Sequence, residues 1–154
     1  MDNSAGGQPN GLTTAGTVIA GRYRLVDRIA GGGMGDVWRA VDDVLGRTVA
    51  VKLLRAEYAE DEQFRERLRR EARAASAISD AGVVPVFDFG EIDRENAAPL
   101  SYLVMEYVDG LTLSDEVSSL GPLGAERTIL ILEQTASALQ AAHEAGVIHR
   151  DIKP

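Results

Sequence analysis

The chain has no cysteine among its 154 residues, which excludes disulfide frameworks, thiolate zinc sites and cysteine nucleophiles. Long apolar runs are missing too: stretches such as Ile129-Leu130-Ile131-Leu132 reach about four residues, against the roughly 18 that cross a bilayer. The sequence opens Met1-Asp2-Asn3-Ser4, with no basic segment leading into an apolar one, so no secretory signal is read and the cytosol is the expected compartment. Surplus positive charge is also absent. With 16 Lys+Arg against 24 Asp+Glu the formal charge is −8, which argues against a general nucleic-acid binder, because neutralising phosphates takes an excess of basic side chains. What remains is an ordinary soluble composition, 45% apolar, in a chain long enough to bury roughly 70% of its unfolded surface.

Residues 1 to about 20 are rich in Gly, Asn, Thr and Ser and read as a flexible leader. Three strands are then expected in quick succession: Tyr23 to Ile29, Asp36 to Val41, and Thr48 to Leu54. Short connections make them an antiparallel meander. Between 61 and 79, Phe64, Leu68, Ala72, Ala75 and Ile78 recur at three- or four-residue steps, which predicts an amphipathic helix capped by Asp61. Two further strands, Val83 to Phe89 and Ser101 to Met105, complete a sheet of about five. A second long helix is expected over 125–145, closed by Gly146 in a left-handed conformation.

Chemistry gathers in a few places. The cluster Ala30-Gly31-Gly32-Gly33-Met34-Gly35 lets backbone N–H groups approach a phosphate closely, although alone it reads equally well as a glycine-rich hairpin turn. A Walker loop is excluded because no Lys-Ser or Lys-Thr pair exists, and a dinucleotide fingerprint because a strand, not a helix, follows the glycines. One strand later, Val49-Ala50-Val51-Lys52 puts a lysine on an apolar strand, where it needs an anionic partner. Glu71, on the apolar stripe of its helix, is the candidate; the alternative is a solvated pair of Glu71 with Arg67. Trp38 reads as core packing and His143 as an ordinary helical side chain. The sequence ends His149-Arg150-Asp151-Ile152-Lys153-Pro154.

In this order and spacing, the glycine loop, Val-Ala-Val-Lys, helical Glu, Leu103-Val104-Met105-Glu106-Tyr107-Val108-Asp109-Gly110 and His-Arg-Asp-Ile-Lys-Pro resemble the eukaryotic-like Ser/Thr protein kinases of bacteria, especially the actinobacterial branch. The resemblance covers about residues 21–154. It implies an α+β fold: a five-stranded antiparallel small lobe with one regulatory helix over about 21–108, then the first helices of an incomplete helical lobe over 109–154. It implies ATP as ligand, with Ile29, Val37 and Ala50 around the adenine, and the 30–35 loop over the phosphates. Gly32, Gly35 and Val37 match its pattern, while Ala30 replaces the first glycine. Lys52 would hold the α- and β-phosphates and pair with Glu71; Met105 would be the gatekeeper, and Glu106 and Val108 the hinge. Asp151 would be the catalytic base and Lys153 the cation at the γ-phosphoryl, with His149 and Arg150 structural and regulatory.

The resemblance also implies Mg²⁺, but the Asn and the Asp-Phe-Gly segment that hold it in the family lie beyond position 154 of this pattern. The expected function is therefore transfer of the ATP γ-phosphate to Ser or Thr of proteins, in a chain inactive alone. The alternative is a nucleotide-binding or scaffolding module of the pseudokinase type. The helix face Ile129, Leu132, Ala136 and Leu139 should stay partly uncovered and favour self-association.

Overall fold

A computed structural model describes residues 14–32, 35–54, 61–95 and 97–154. The strands are β1 (Val18–Ile19), β2 (Tyr23–Gly32), β3 (Gly35–Asp42), β4 (Arg47–Leu54), β5 (Val86–Arg94) and β6 (Ala97–Glu106). The helices are α1 (Glu62–Ser76), α2 (Leu113–Leu120) and α3 (Ala125–Glu144). All strand pairs are antiparallel, in the order β1-β2-β3-β4-β6-β5. The class is α+β as expected, with six strands instead of five. The added strand is β1, which lies inside the stretch read as a leader. It pairs Ile19 with Tyr23, and Ile19 is buried in the core.

Because side chains alternate along a strand, the sheet separates its residues into two faces. One face carries the core: Leu25, Trp38, Ala40, Val49, Val51, Leu53, Leu100, Tyr102 and Val104. The sheet curls around it. Tyr23 of β2 stacks 6.1 Å from the ring of Tyr102 and donates its hydroxyl to Asp88 of β5 at 2.6 Å, so strands far apart in the order meet. Burial pushes the Tyr23 phenol upward, and the bond to Asp88 adds to the shift.

The β5–β6 hairpin runs further than its sequence pattern indicates. Residues Gly90 to Pro99, read as a polar connection, are mostly strand, pairing Glu91 with Ser101 and Ile92 with Leu100. Polar side chains are tolerated there because β5 is an edge strand.

α1 starts where its cap predicts. The Asp61 carboxylate accepts from the amides of Gln63 (2.9 Å) and Phe64 (3.2 Å). Replacing Asp61 with Ala should cost about 1 kcal/mol, read as a lower urea midpoint at unchanged slope; an unchanged midpoint contradicts the capping role. α2 falls among the first helices expected over 109–154, although no span is read for it, and Thr112-Leu113-Ser114-Asp115 spells its capping box: the Asp115 amide donates to Thr112 Oγ1 at 3.0 Å and the Thr112 amide to Asp115 Oδ2 at 3.3 Å. α3 matches its expected span, and Gly146 closes it at φ 78°, donating to the His143 carbonyl at 2.9 Å. Its apolar face is open: Ile129 is 56% and Leu132 62% exposed, Ala136 is exposed and Leu139 half-buried. Among the described residues, no helix is long and apolar enough to cross a membrane.

Candidate functional site

The strand register builds the site. Ala30, Val37, Lys52 and Leu103 sit directly opposite one another across β2, β3, β4 and β6. Two residues along the same face come Arg39, Ala50 and Met105. Lys52 is thus set in an apolar strip, opposite in face to the core residues Val51 and Leu53. Ala50 is buried and Val37, Lys52, Leu103 and Met105 are half-buried. The chain holds only two lysines, Lys52 and Lys153, against fourteen arginines. Both stand at the positions picked out by motif, where a compact ammonium on a flexible stem suits a phosphate ligand.

The β2–β3 hairpin approaches the strip from one end. Its register closes at Gly31 with Asp36 and Gly32 with Gly35; Gly33 and Met34, both candidate loop residues, lie outside the described residues. Gly35 must be glycine: φ is 155°, and a Cβ there would penetrate the carbonyl oxygen of Leu53. Ile29 falls where the β2 register shifts between Arg28 and Ala30, and is 44% exposed. Beside it, Arg28 donates to Asp36 Oδ1 at 2.6 and 3.1 Å, a clip across the hairpin with no sequence signal beyond opposite charges. At the other end, the Glu106 amide donates to the Pro85 carbonyl at 3.0 Å, while Glu106 and Val108 side chains are exposed.

Asp151 is exposed. Its carboxylate accepts from Lys153 at 3.0 Å and its amide donates to His149 Nδ1 at 3.3 Å. The Lys153 hydrogen bond, then the Lys153 charge, lower the Asp151 carboxyl from its usual value, with smaller attractions from His149 and Lys52. Arg150, between His149 and Asp151 in the chain, takes φ 62°, a strained conformation for a non-glycine residue.

One expectation fails. Glu71 is exposed, and among the described residues no ion pair joins it to Lys52 or to Arg67. α1 rests chiefly on β5, where Glu91 receives Arg65 at 3.4 Å and Arg69 at 3.2 Å. Local periodicity put Glu71 on the apolar stripe of the helix, but the flank that packs on β5 is the one carrying Arg65 and Arg69.

The tripeptide Asp88-Phe89-Gly90 spells the metal-binding motif of the resemblance, yet it precedes Asp151 and lies in β5. Asp88 is engaged by Tyr23, and a Cβ at Gly90 would strike the Tyr102 ring, so both residues serve the packing of the sheet. Among the described residues, no three His, Asp or Glu side chains gather into a metal-binding group. Trp38 is buried and His143 exposed on α3, as expected.

Comparison with known proteins returns one family description, "Protein kinase domain", over residues 23–154. The chain is 47% identical over 139 residues to the serine/threonine-protein kinase PknA of Mycobacterium tuberculosis, covering 90% of this chain and 32% of the relative. It is 44% identical over 139 residues to PrkC of Bacillus subtilis, covering 90% and 21%. Among solved structures, the PknI kinase domain of M. tuberculosis superposes with a TM-score of 0.78 at 28% identity, over 92% of this chain and 56% of that one. The chain thus spans about a third or less of the length of these curated relatives.

Proposed function

Because this chain belongs to the protein kinase domain family, we propose that it supplies the nucleotide-clasping lobe and the start of the catalytic loop of a serine/threonine protein kinase. The observation that carries the reading is Lys52 in its apolar strip, in register with Val37 and Leu103. An aromatic base fits the strip: Ile29, Val37, Ala50 and Met105 offer apolar contact, and Glu106 and Val108 offer backbone polar groups where β6 ends. A triphosphate fits the end beneath the glycine hairpin, where Gly35 lets β3 lie against β4 and Lys52 supplies the charge.

Asp151 then takes the proton of an acceptor hydroxyl. An aspartate carboxyl is ionised at neutral pH, and Lys153 lowers this one further, so it is in the accepting form. Lys153 lies next to the developing charge of the transferred group, and Arg150 and His149 fix the turn that presents both. The γ-phosphorus–oxygen bond to ADP breaks as the bond to the acceptor oxygen forms. Positioning and charge neutralisation carry such a transfer. Mg²⁺ bound with the nucleotide would neutralise phosphate charge, and the described residues offer no cluster of their own to hold it.

The 154-residue polypeptide is expected to bind MgADP and to transfer no labelled γ-phosphate to a generic Ser/Thr acceptor. Absence of binding overturns the nucleotide reading, and turnover at roughly 1 to 100 per second overturns the expected inactivity.

A further inference from the structure

α1 gathers Phe64, Leu68, Ala72 and Ala75 into one apolar stripe. At about 100° per residue, Arg65 and Glu71 stand roughly 60° to either side of the centre of that stripe. A helix resting squarely on the sheet would bury both flanks alike. The flanks differ: the Arg65 side chain is 22% exposed, whereas Glu71 is left in solvent. α1 therefore leans toward β5, leaving Phe64, Leu68 and Ala75 only half-buried.

Glu91 meets the buried flank. Its side chain is 18% exposed and faces both Arg65 and Arg69, one helical turn apart on the same flank. The seat is held by charge more than by completed hydrogen bonds: Arg65 Nε, Glu91 Oε1 and the hydroxyl of Ser101 are buried without a hydrogen-bond partner, and Ser101 is the register partner of Glu91. A largely buried carboxylate facing two guanidinium groups resists separation, because Glu91 and Arg65, parted from each other, would be left partly desolvated. The apolar stripe, by contrast, gains burial if the helix rolls back.

We infer that Glu91 is a positioning residue: by holding Arg65 and Arg69 it sets the roll of α1 and keeps Glu71 from Lys52. Releasing that hold lets the stripe settle and delivers Glu71 to Lys52. The inference rests on the reading of Lys52 as the nucleotide-facing cation, and its test separates the two.

The presence of only two lysines makes Lys52 observable. Reductive ¹³C-methylation of the full chain gives one dimethyl-lysine signal for each, and pH titration of the signals reports their surroundings. In the unaltered chain, Glu71→Gln should leave the Lys52 pKa where it is. In Glu91→Gln the Lys52 pKa should rise by about half a unit or more, because a neighbouring carboxylate favours the ammonium. Adding Glu71→Gln to that variant should remove the rise, while Lys153 stays unmoved as an internal reference and Asp151 acts on Lys52 equally in all variants.

An unmoved Lys52 in Glu91→Gln, or a rise that survives loss of Glu71, overturns the inference. Should Glu91→Gln fail to fold, Arg65→Gln with Arg69→Gln releases the same hold from the helix surface and must produce the same rise. The charge-swapped pair Arg69→Glu with Glu91→Arg must restore the original value. MgADP must shift the Lys52 signal of the unaltered chain if the nucleotide reading holds; no shift overturns that reading, while the dependence on Glu71 still reports the roll.

Discussion

A chain carrying Gly35→Ala is expected to bind MgADP at least about tenfold more weakly than the unaltered chain. Two costs act together. The backbone at φ 155° lies in a region that essentially only glycine occupies, and the new methyl must displace the Leu53 carbonyl. Gly35 is the register partner of Leu54, so the displacement pries β3 from β4 at the end nearest Lys52. The effect should therefore fall on the loop and on Lys52 together, leaving the far end of the sheet in place. Gly32→Ala is the control. Its Cβ would meet nothing within 4 Å, and a loss of about threefold or less is expected there. Titration of both variants with a fluorescent ADP analogue, with Trp38 emission reporting the fold, decides the matter. Equal affinities for the two variants would show that close β3–β4 approach at Gly35 does not shape the nucleotide site.

How much of this was legible in the residues depends on how locally each feature is determined. The β2–β3–β4 meander was readable because β-branched runs alternate with turn residues, and α1 and α3 because their apolar spacing and caps are local. Lys52, Asp151 and the glycine loop were readable as a set because fixed spacing carries them. β1 was not: two residues carry no periodicity, and Ile19 gains its place only from burial beneath residues elsewhere in the sheet. The Lys52–Glu71 contact was inferred from a helix face alone; the flank that packs instead pairs Arg65 and Arg69 with Glu91, whose charge gave no sign in the sequence of facing α1. The burial of Asp42 likewise left no local sign, because its partner Arg22 stands 20 residues earlier in the chain.

Asp42→Ala is expected to lower the thermal midpoint by roughly 10 °C or more, as does removal of one partner from other buried ion pairs. Asp42 is fully buried at the end of β3, yet its carboxylate accepts four hydrogen bonds at one point. Arg22 donates to both of its oxygens, at 2.8 and 2.7 Å; the amides of Val44 and Leu45 donate at 3.1 and 3.2 Å; and Arg47 approaches to 3.7 Å while stacking 3.8 Å over Phe87. Removing the carboxylate strands the Arg22 guanidinium and frees the β3–β4 turn in one step. The Arg22 hydrogen bonds, helped by the two turn amides and opposed by burial, hold the Asp42 carboxyl well below the usual carboxylate range. A carboxyl depressed in the folded state contributes stability that is fully present above its unfolded pKa of about 3.9 and is lost as pH falls through and below that value. Asp42→Asn removes this titration while keeping the shape. The midpoint of the unaltered chain should therefore fall more steeply between about pH 4 and pH 2 than that of Asp42→Asn, and their difference at pH 7 should shrink in acid. Parallel curves across that range would mean that the Arg22–Asp42 pair contributes nothing net, and that the turn amides alone hold the corner.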